Sequence, residues 1–145
     1  YSKGSYLEDL SDDAVDILAK HSALKHSPFS TIPMFPMGGA YLDAAEDSTA
    51  LASSRAIRWN VAIDALAQDD ETLVREREWV RSLWQALLPY ANGTGGYVNF
   101  MAEYEADRVK ACYGSKYQRL AEIKGRFDPD NVFHHNANIL PAEAL

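Results

Sequence analysis

Apolar and polar residues alternate with different periods along this chain, and each change of period marks an element. Residues 1–6 read as a strand. Ser11 follows as an N-cap whose hydroxyl can take a first-turn amide, and Asp12 and Asp13 suit the positive end of the helix that starts there. Val15 and Leu18, with Ile17, His21 and Leu24 beside them, recur at helical spacing. They predict an amphipathic helix to about His26, ended by Ser27-Pro28. Residues 29–37 are apolar but hold Pro33 and Pro36, and proline has no N–H for a ladder, so this is an edge strand or an irregular extended segment. Gly38-Gly39 predicts a bulge or a close approach of backbone to another group.

Beyond an acidic turn at residues 43–47, residues 55–66 switch to period two. Ile57, Trp59, Val61, Ile63 and Ala65 alternate with Arg58, Asn60, Ala62 and Asp64, giving a strand with one apolar and one polar face. The polar face is either solvated or lines a cavity. Asp69-Asp70 then caps a helix whose Leu73, Val74, Val80, Leu83, Trp84, Leu87 and Leu88 form a wide apolar stripe up to Pro89. Residues 92–96 form a Gly-rich loop, and residues 97–100 a short extended run leaving it. A last helix spans about 115–126, with Tyr117, Leu120, Ile123 and Phe127 on one side, and Asp128-Pro129-Asp130-Asn131 breaks it. Strands that follow one another without βαβ regularity pair antiparallel. The fold class is therefore α+β: an antiparallel sheet with helices packed on one face.

Composition narrows the function. At 145 residues with 47% hydrophobic content the chain has material for one core. It opens on Tyr1 and enters a strand at once, which predicts a segment of a longer protein. Twenty-one acidic residues against 14 basic ones give a net charge of −7, and the basic residues are interleaved with acids, so no nucleic acid is expected as a partner. No window approaches the roughly 18 apolar residues of a membrane span, and no membrane partner is expected. The single cysteine, Cys112, allows no internal disulfide; it permits a reducing compartment, with cytoplasm slightly favoured and the localisation otherwise unknown. His134 and His135 are adjacent without a His-x3-His or carboxylate pattern, so no metal is expected. The Gly-rich loop follows a helix and leads to an extended run, the wrong context for a nucleotide fingerprint.

A resemblance adds more. Tyr97-Val98-Asn99, then Tyr113-Gly114-Ser115-Lys116-Tyr117-Gln118-Arg119-Leu120, Ile123-Lys124, residues 127–133 (FDPDNVF) and residues 136–141 (NANILP) follow one another as in the closing segment of the berberine-bridge-enzyme-like, FAD-linked oxidoreductases. Gly38-Gly39-Ala40, Thr49-Ala50, Arg55 and the strand with Trp59 resemble the substrate domain of the same family. The resemblance implies that residues 1–96 are part of a substrate-binding domain and residues 97–145 a closing segment packed in that domain. It also implies that FAD is bound mainly by an N-terminal domain absent from this chain, since nothing here resembles the flavin-attachment motifs. The full-length protein would then be an FAD-dependent oxidoreductase acting on an alcohol, sugar or secondary metabolite, and the isolated chain would be inactive.

Tyr97, in the Tyr-x-Asn motif, is implied as the catalytic base. A phenol ordinarily titrates at about 10, so it needs a positive charge or donors at its oxygen to serve near neutrality. The alternative is a strand tyrosine with a wet hydroxyl. Asn99, Asn136 and Asn138 are implied as flavin contacts, against local backbone capping. Arg58 and Asn60 are candidate substrate contacts if the polar strand face points at the flavin. Cys112 stands where relatives carry an aromatic, and Phe100, Met101, Ala102 and Glu103 depart from the usual aromatic and aspartate. The partners implied are the N-terminal FAD-binding domain and a small-molecule substrate. Without that domain the bare surface predicts self-association. The competing class is a free-standing α+β ligand-binding or dimerisation module without catalysis.

Overall fold

The computed structural model describes residues 1–46, 48–51, 54–93, 95–101 and 106–142. Parts of several sequence-based elements fall outside them: Asp47 of the acidic turn, Thr94 of the Gly-rich loop, and Ala102 and Glu103 after the Tyr-x-Asn motif.

Three antiparallel strands form the sheet: β1 (Ser2–Leu7), β2 (Met34–Pro36) and β3 (Trp59–Asp64), in the order β1-β3-β2. The helices are α1 (Asp12–Ser22), the short α2 (Ala40–Asp43), α3 (Asp70–Leu87), α4 (Ala106–Tyr113) and α5 (Tyr117–Phe127). Register assigns the two faces of the sheet. Leu7 opposes Trp59, Ser5 opposes Val61 and Lys3 opposes Ile63 on one face. Tyr6 with Asn60, Gly4 with Ala62, and Phe35 with Asn60 share the other. The first face meets α1 and α3, where Leu7, Val61 and Ile63 pack with Leu18, Trp79, Val80, Leu83 and Leu87. Each such aliphatic side chain contributes about 1.5–3 kcal/mol on burial. The expected α+β layering, with these two helices on one face, is what the chain adopts.

Local chemistry explains the helix starts. Ser11 Oγ accepts from Ala14 N and Asp69 Oδ1 from Thr72 N, as capping requires. The first helix stops at Ser22 rather than near His26, because tertiary contacts claim its end. The indole of Trp79 donates to His21 O at 2.8 Å, and the carboxylate of Glu76, fully buried on α3, accepts from His26 N and Ser27 N at 2.6 and 3.2 Å. Those amides therefore leave the helical ladder.

Four further expectations change. Gly38-Gly39 is no bulge: Gly39, at φ 54°, is the N-cap of α2, and a Cβ on Gly38 would meet nothing within 4 Å. The strand of residues 55–66 contracts to β3: single bonds from Arg58 N to Leu7 O and from Ala65 N to Tyr1 O extend past its ends, but the paired register runs only from Trp59 to Asp64. Residues 98–100 curl into a 3-10 turn, with Phe100 N bonded to Tyr97 O at 2.8 Å; the Phe100 ring packs against that of Tyr97, and no described strand pairs with the segment. Ahead of α5, which begins at Tyr117, lies α4. Its eight residues are too few for periodicity to announce, yet Val109 and Cys112 build a second small core with Met101.

Candidate functional site

The second face of the sheet is neither solvated nor open along its length. Asn60 and Ala62 are buried there, although they alternate with the apolar set as expected. The chain after the Gly-rich loop covers them. Gly96 passes so close to β1 that a Cβ on it would stand 2.7 Å from Gly4 O and 2.9 Å from Gly4 C, and a Cβ on Gly4 would stand 3.5 Å from Phe100 Cβ. This close passage sets Tyr97 and Phe100 on the sheet.

Three rings then line up. Phe35, on the edge strand β2, stacks on Phe100 with centroids 5.8 Å apart and planes 28° apart, and Phe100 meets Tyr97 edge-on at 5.1 Å and 89°. Both spacings lie in the favourable range for aromatic pairs. Asn99 is exposed and its Nδ2 donates to the Tyr97 oxygen at 2.8 Å. Tyr97 and Asn99, named from one short motif, are thus brought together in a bond that leaves the phenolic proton free to point elsewhere.

The other named residues lie differently. Asn60, 7% exposed, has a buried carboxamide oxygen with no hydrogen-bond partner among the described residues. Arg58 turns back on its own turn, where Nη1 donates to the carbonyls of Arg55, Ala56 and Ile57 at 2.8, 2.9 and 3.3 Å. Among the described residues no hydrogen bond joins Arg58 or Asn60 to Tyr97. In the closing segment Asn136 is exposed and Ala137 packs on the Met101–Val109–Cys112 core. The Asn138 carboxamide oxygen is enclosed, again without a partner among the described residues.

That segment is locked down by the break after α5. Lys124 Nζ pairs with the Asp128 carboxylate and donates to Phe133 O at 2.8 Å, while Asp128 accepts from Val132 N at 2.8 Å and Phe133 N at 3.1 Å. The Lys124 hydrogen bond, helped by these two amides against partial desolvation, holds the Asp128 carboxyl below its ordinary value. Further along, Leu140 N reaches Tyr117 Oη and Ala142 N reaches Ala121 O. Cys112 accepts from Gly96 N at 3.3 Å, and burial pushes its thiol up, so it stays protonated beneath the loop.

Sequence pattern does not single out Phe35 and Phe100 as parts of a site, yet they complete the aromatic rank. Phe35 sits between two prolines, and only its register opposite Asn60 shows which face it joins. Arg108 carries no sequence signal either. It is 5% exposed, its guanidinium lies 4.8 Å from the centroid of Trp84, and Lys3 Nζ lies 4.6 Å from the same ring.

The model of the family described as berberine and berberine-like matches residues 96–140, the stretch that holds Tyr97, Asn99, Asn136 and Asn138. An FAD-linked oxidoreductase of Bacillus subtilis, YvdP, is 30% identical over 135 residues, or 91% of this chain and 29% of that protein. The chain belongs to the berberine-bridge-enzyme-like FAD-linked oxidoreductases. Its fold is that of the solved members. Berberine bridge enzyme from Eschscholzia californica superposes with a TM-score of 0.80 at 20% identity, over 99% of this chain and 33% of that one. A glycopeptide hexose oxidase complexed with teicoplanin superposes with a TM-score of 0.82 at 22% identity, over 97% of this chain and 32% of that one. The chain spans about a third of the length of the berberine-bridge-like relatives it matches.

Proposed function

We propose that the full-length protein oxidises an alcohol, sugar or secondary metabolite at a C–H bond, and that this chain provides the substrate-side wall and the proton acceptor. The observation that carries this reading is the Tyr97 oxygen, held by the Asn99 amide at 2.8 Å on the face of the sheet away from α1 and α3. An amide donor is the kind of partner that a phenolate oxygen requires. With Tyr97 in its phenolate form, the substrate hydroxyl gives it a proton and leaves a neutral phenol while the carbinol hydrogen leaves as hydride, so a C=O bond replaces the C–H and O–H bonds. Flavin, when bound, supplies the two-electron acceptor for that hydride and passes the electrons on to oxygen or another acceptor.

The capped, acidic N-termini of α1 and α3 do not suit the pyrophosphate of FAD. The N-termini of α1 and α3 are capped by Ser11 and Asp69 and carry Asp12, Asp13, Asp70 and Glu71 in their first turns, which repel phosphate. The exposed carboxamides of Asn99 and Asn136 are of the type that hydrogen-bonds the polar edge of a flavin. Asn138 backs the same segment. FAD is thus held mainly by an N-terminal domain, residues 1–96 form part of the substrate-binding domain, and residues 97–145 are its closing segment. Arg58 and Asn60, the candidate substrate contacts of the strand, reach a substrate only if Arg58 Nη1 leaves the carbonyls of its own turn and the enclosed Asn60 carboxamide is uncovered.

The test is the visible absorption spectrum of the full-length protein against that of the 145-residue chain, before and after acid precipitation. Flavin bands in the longer protein and none in the chain support the division of labour. A colourless longer protein that takes up no added FAD overturns it and leaves a ligand-binding or dimerisation module. The isolated chain also leaves Ile123, Phe127, Val132, Phe133 and Leu140 exposed near one another in sequence, with Phe133 77% exposed. In sedimentation it is expected to self-associate as concentration rises; a monodisperse monomer throughout refutes this.

A further inference from the structure

The edge strand β2 holds a phenyl ring that the core does not need. Phe35 is 44% exposed, whereas the β1 and β3 residues on the helix-covered face, Leu7, Val61 and Ile63 among them, are fully buried. It is nonetheless fixed. Register places it opposite Asn60, Pro33 and Pro36 stiffen the strand on either side, and its ring stacks on Phe100, which in turn abuts Tyr97. A rigid, half-bare ring therefore continues the surface that starts at the Tyr97 hydroxyl.

We infer that Phe35 is the specificity-determining residue of the proposed alcohol-oxidising site, reading a flat aryl ring attached to the substrate's carbinol carbon. The inference rests on Tyr97 as the proton acceptor. A substituent that extends from a carbinol at Tyr97 along the contact with Phe100 meets the Phe100–Phe35 rank, and flat π-faces match stacked and edge-on rings better than puckered or linear groups do. The polar groups of this face favour an aryl ring over a hexose. Asn99 Nδ2 is committed to Tyr97, the Asn60 oxygen is enclosed, and Arg58 Nη1 serves three backbone carbonyls, so a sugar's hydroxyls find few partners here.

The test uses the FAD-loaded full-length protein with Phe35→Leu, which keeps apolar bulk but loses flatness, and Phe35→Trp, which keeps flatness. Benzyl alcohol, cyclohexylmethanol and glucose are compared by kcat and KM. For Phe35→Leu, kcat/KM for benzyl alcohol is expected to fall about tenfold, mostly through KM, with a change of less than about threefold for cyclohexylmethanol; Phe35→Trp restores it. An equal fall for both alcohols, no fall, or a wild-type preference for glucose overturns the inference. If the wild-type protein oxidises no alcohol, the Tyr97 reading fails instead. Phe35 is then judged by benzyl alcohol binding, followed through perturbation of the flavin spectrum: a tenfold weakening in Phe35→Leu upholds the aryl site, and no binding to the wild type overturns it.

Discussion

Tyr97→Phe in the full-length protein is expected to lower kcat by about 10²–10⁴-fold while KM moves little, because the change removes one oxygen and leaves the ring that packs on Phe100. General acid–base groups contribute at that level when they act on the proton in the transition state. The measurement is anaerobic reduction of the bound flavin by a saturating alcohol in a stopped-flow instrument, which isolates the hydride step from reoxidation. Asn99→Ala should slow the same step less, since the phenol remains and only its 2.8 Å donor is lost. A Tyr97→Phe protein that reduces its flavin at the wild-type rate would remove Tyr97 from the mechanism.

Gly96→Ala should disturb both stability and rate without altering any side chain named in the site. The added methyl would stand 2.7 Å from Gly4 O and 2.9 Å from Gly4 C, and β1 cannot retreat because each of its residues is in register with β3. The loop must lift instead. Overpacking of this kind costs about 1–3 kcal/mol, visible as a lower urea midpoint. Because Tyr97 follows directly, the lift also displaces the phenol, and an error near ~1 Å in a reacting group lowers kcat by up to about 10²-fold. Gly38→Ala is the control, since its methyl would meet nothing within 4 Å and should change neither quantity. A Gly96→Ala protein as stable and as fast as the wild type would show that the loop is not held by this contact.

Elements whose signals lie in consecutive residues are legible in the sequence. Ser11 and Asp69 cap as their side chains predict, the stripe from Leu73 to Leu87 becomes α3, and the alternation around Val61 becomes the central strand. The Tyr-x-Asn pair is legible too, for its two side chains meet within a single turn. Their hydrogen bond is not legible, because residues 97–100 have the composition of an extended run. In a strand, residues two apart share a face but stand too far apart for this bond; the 3-10 turn brings them together.

The period of each segment, its caps and its breakers follow from the amino-acid order alone, because they depend on contacts within a few residues. The family follows from it as well, through motifs kept in sequence. Where α1 stops is a tertiary outcome, since it depends on Glu76 and Trp79, which lie fifty or more residues further along the chain. The covering of the polar face of β3 is another, and so is the rank that links Phe35 to Tyr97 through Phe100. Those outcomes rest on strand register and on the close passage of Gly96 over Gly4. Both are long-range packing choices, set by which surfaces are buried together and not by the preference of any local stretch.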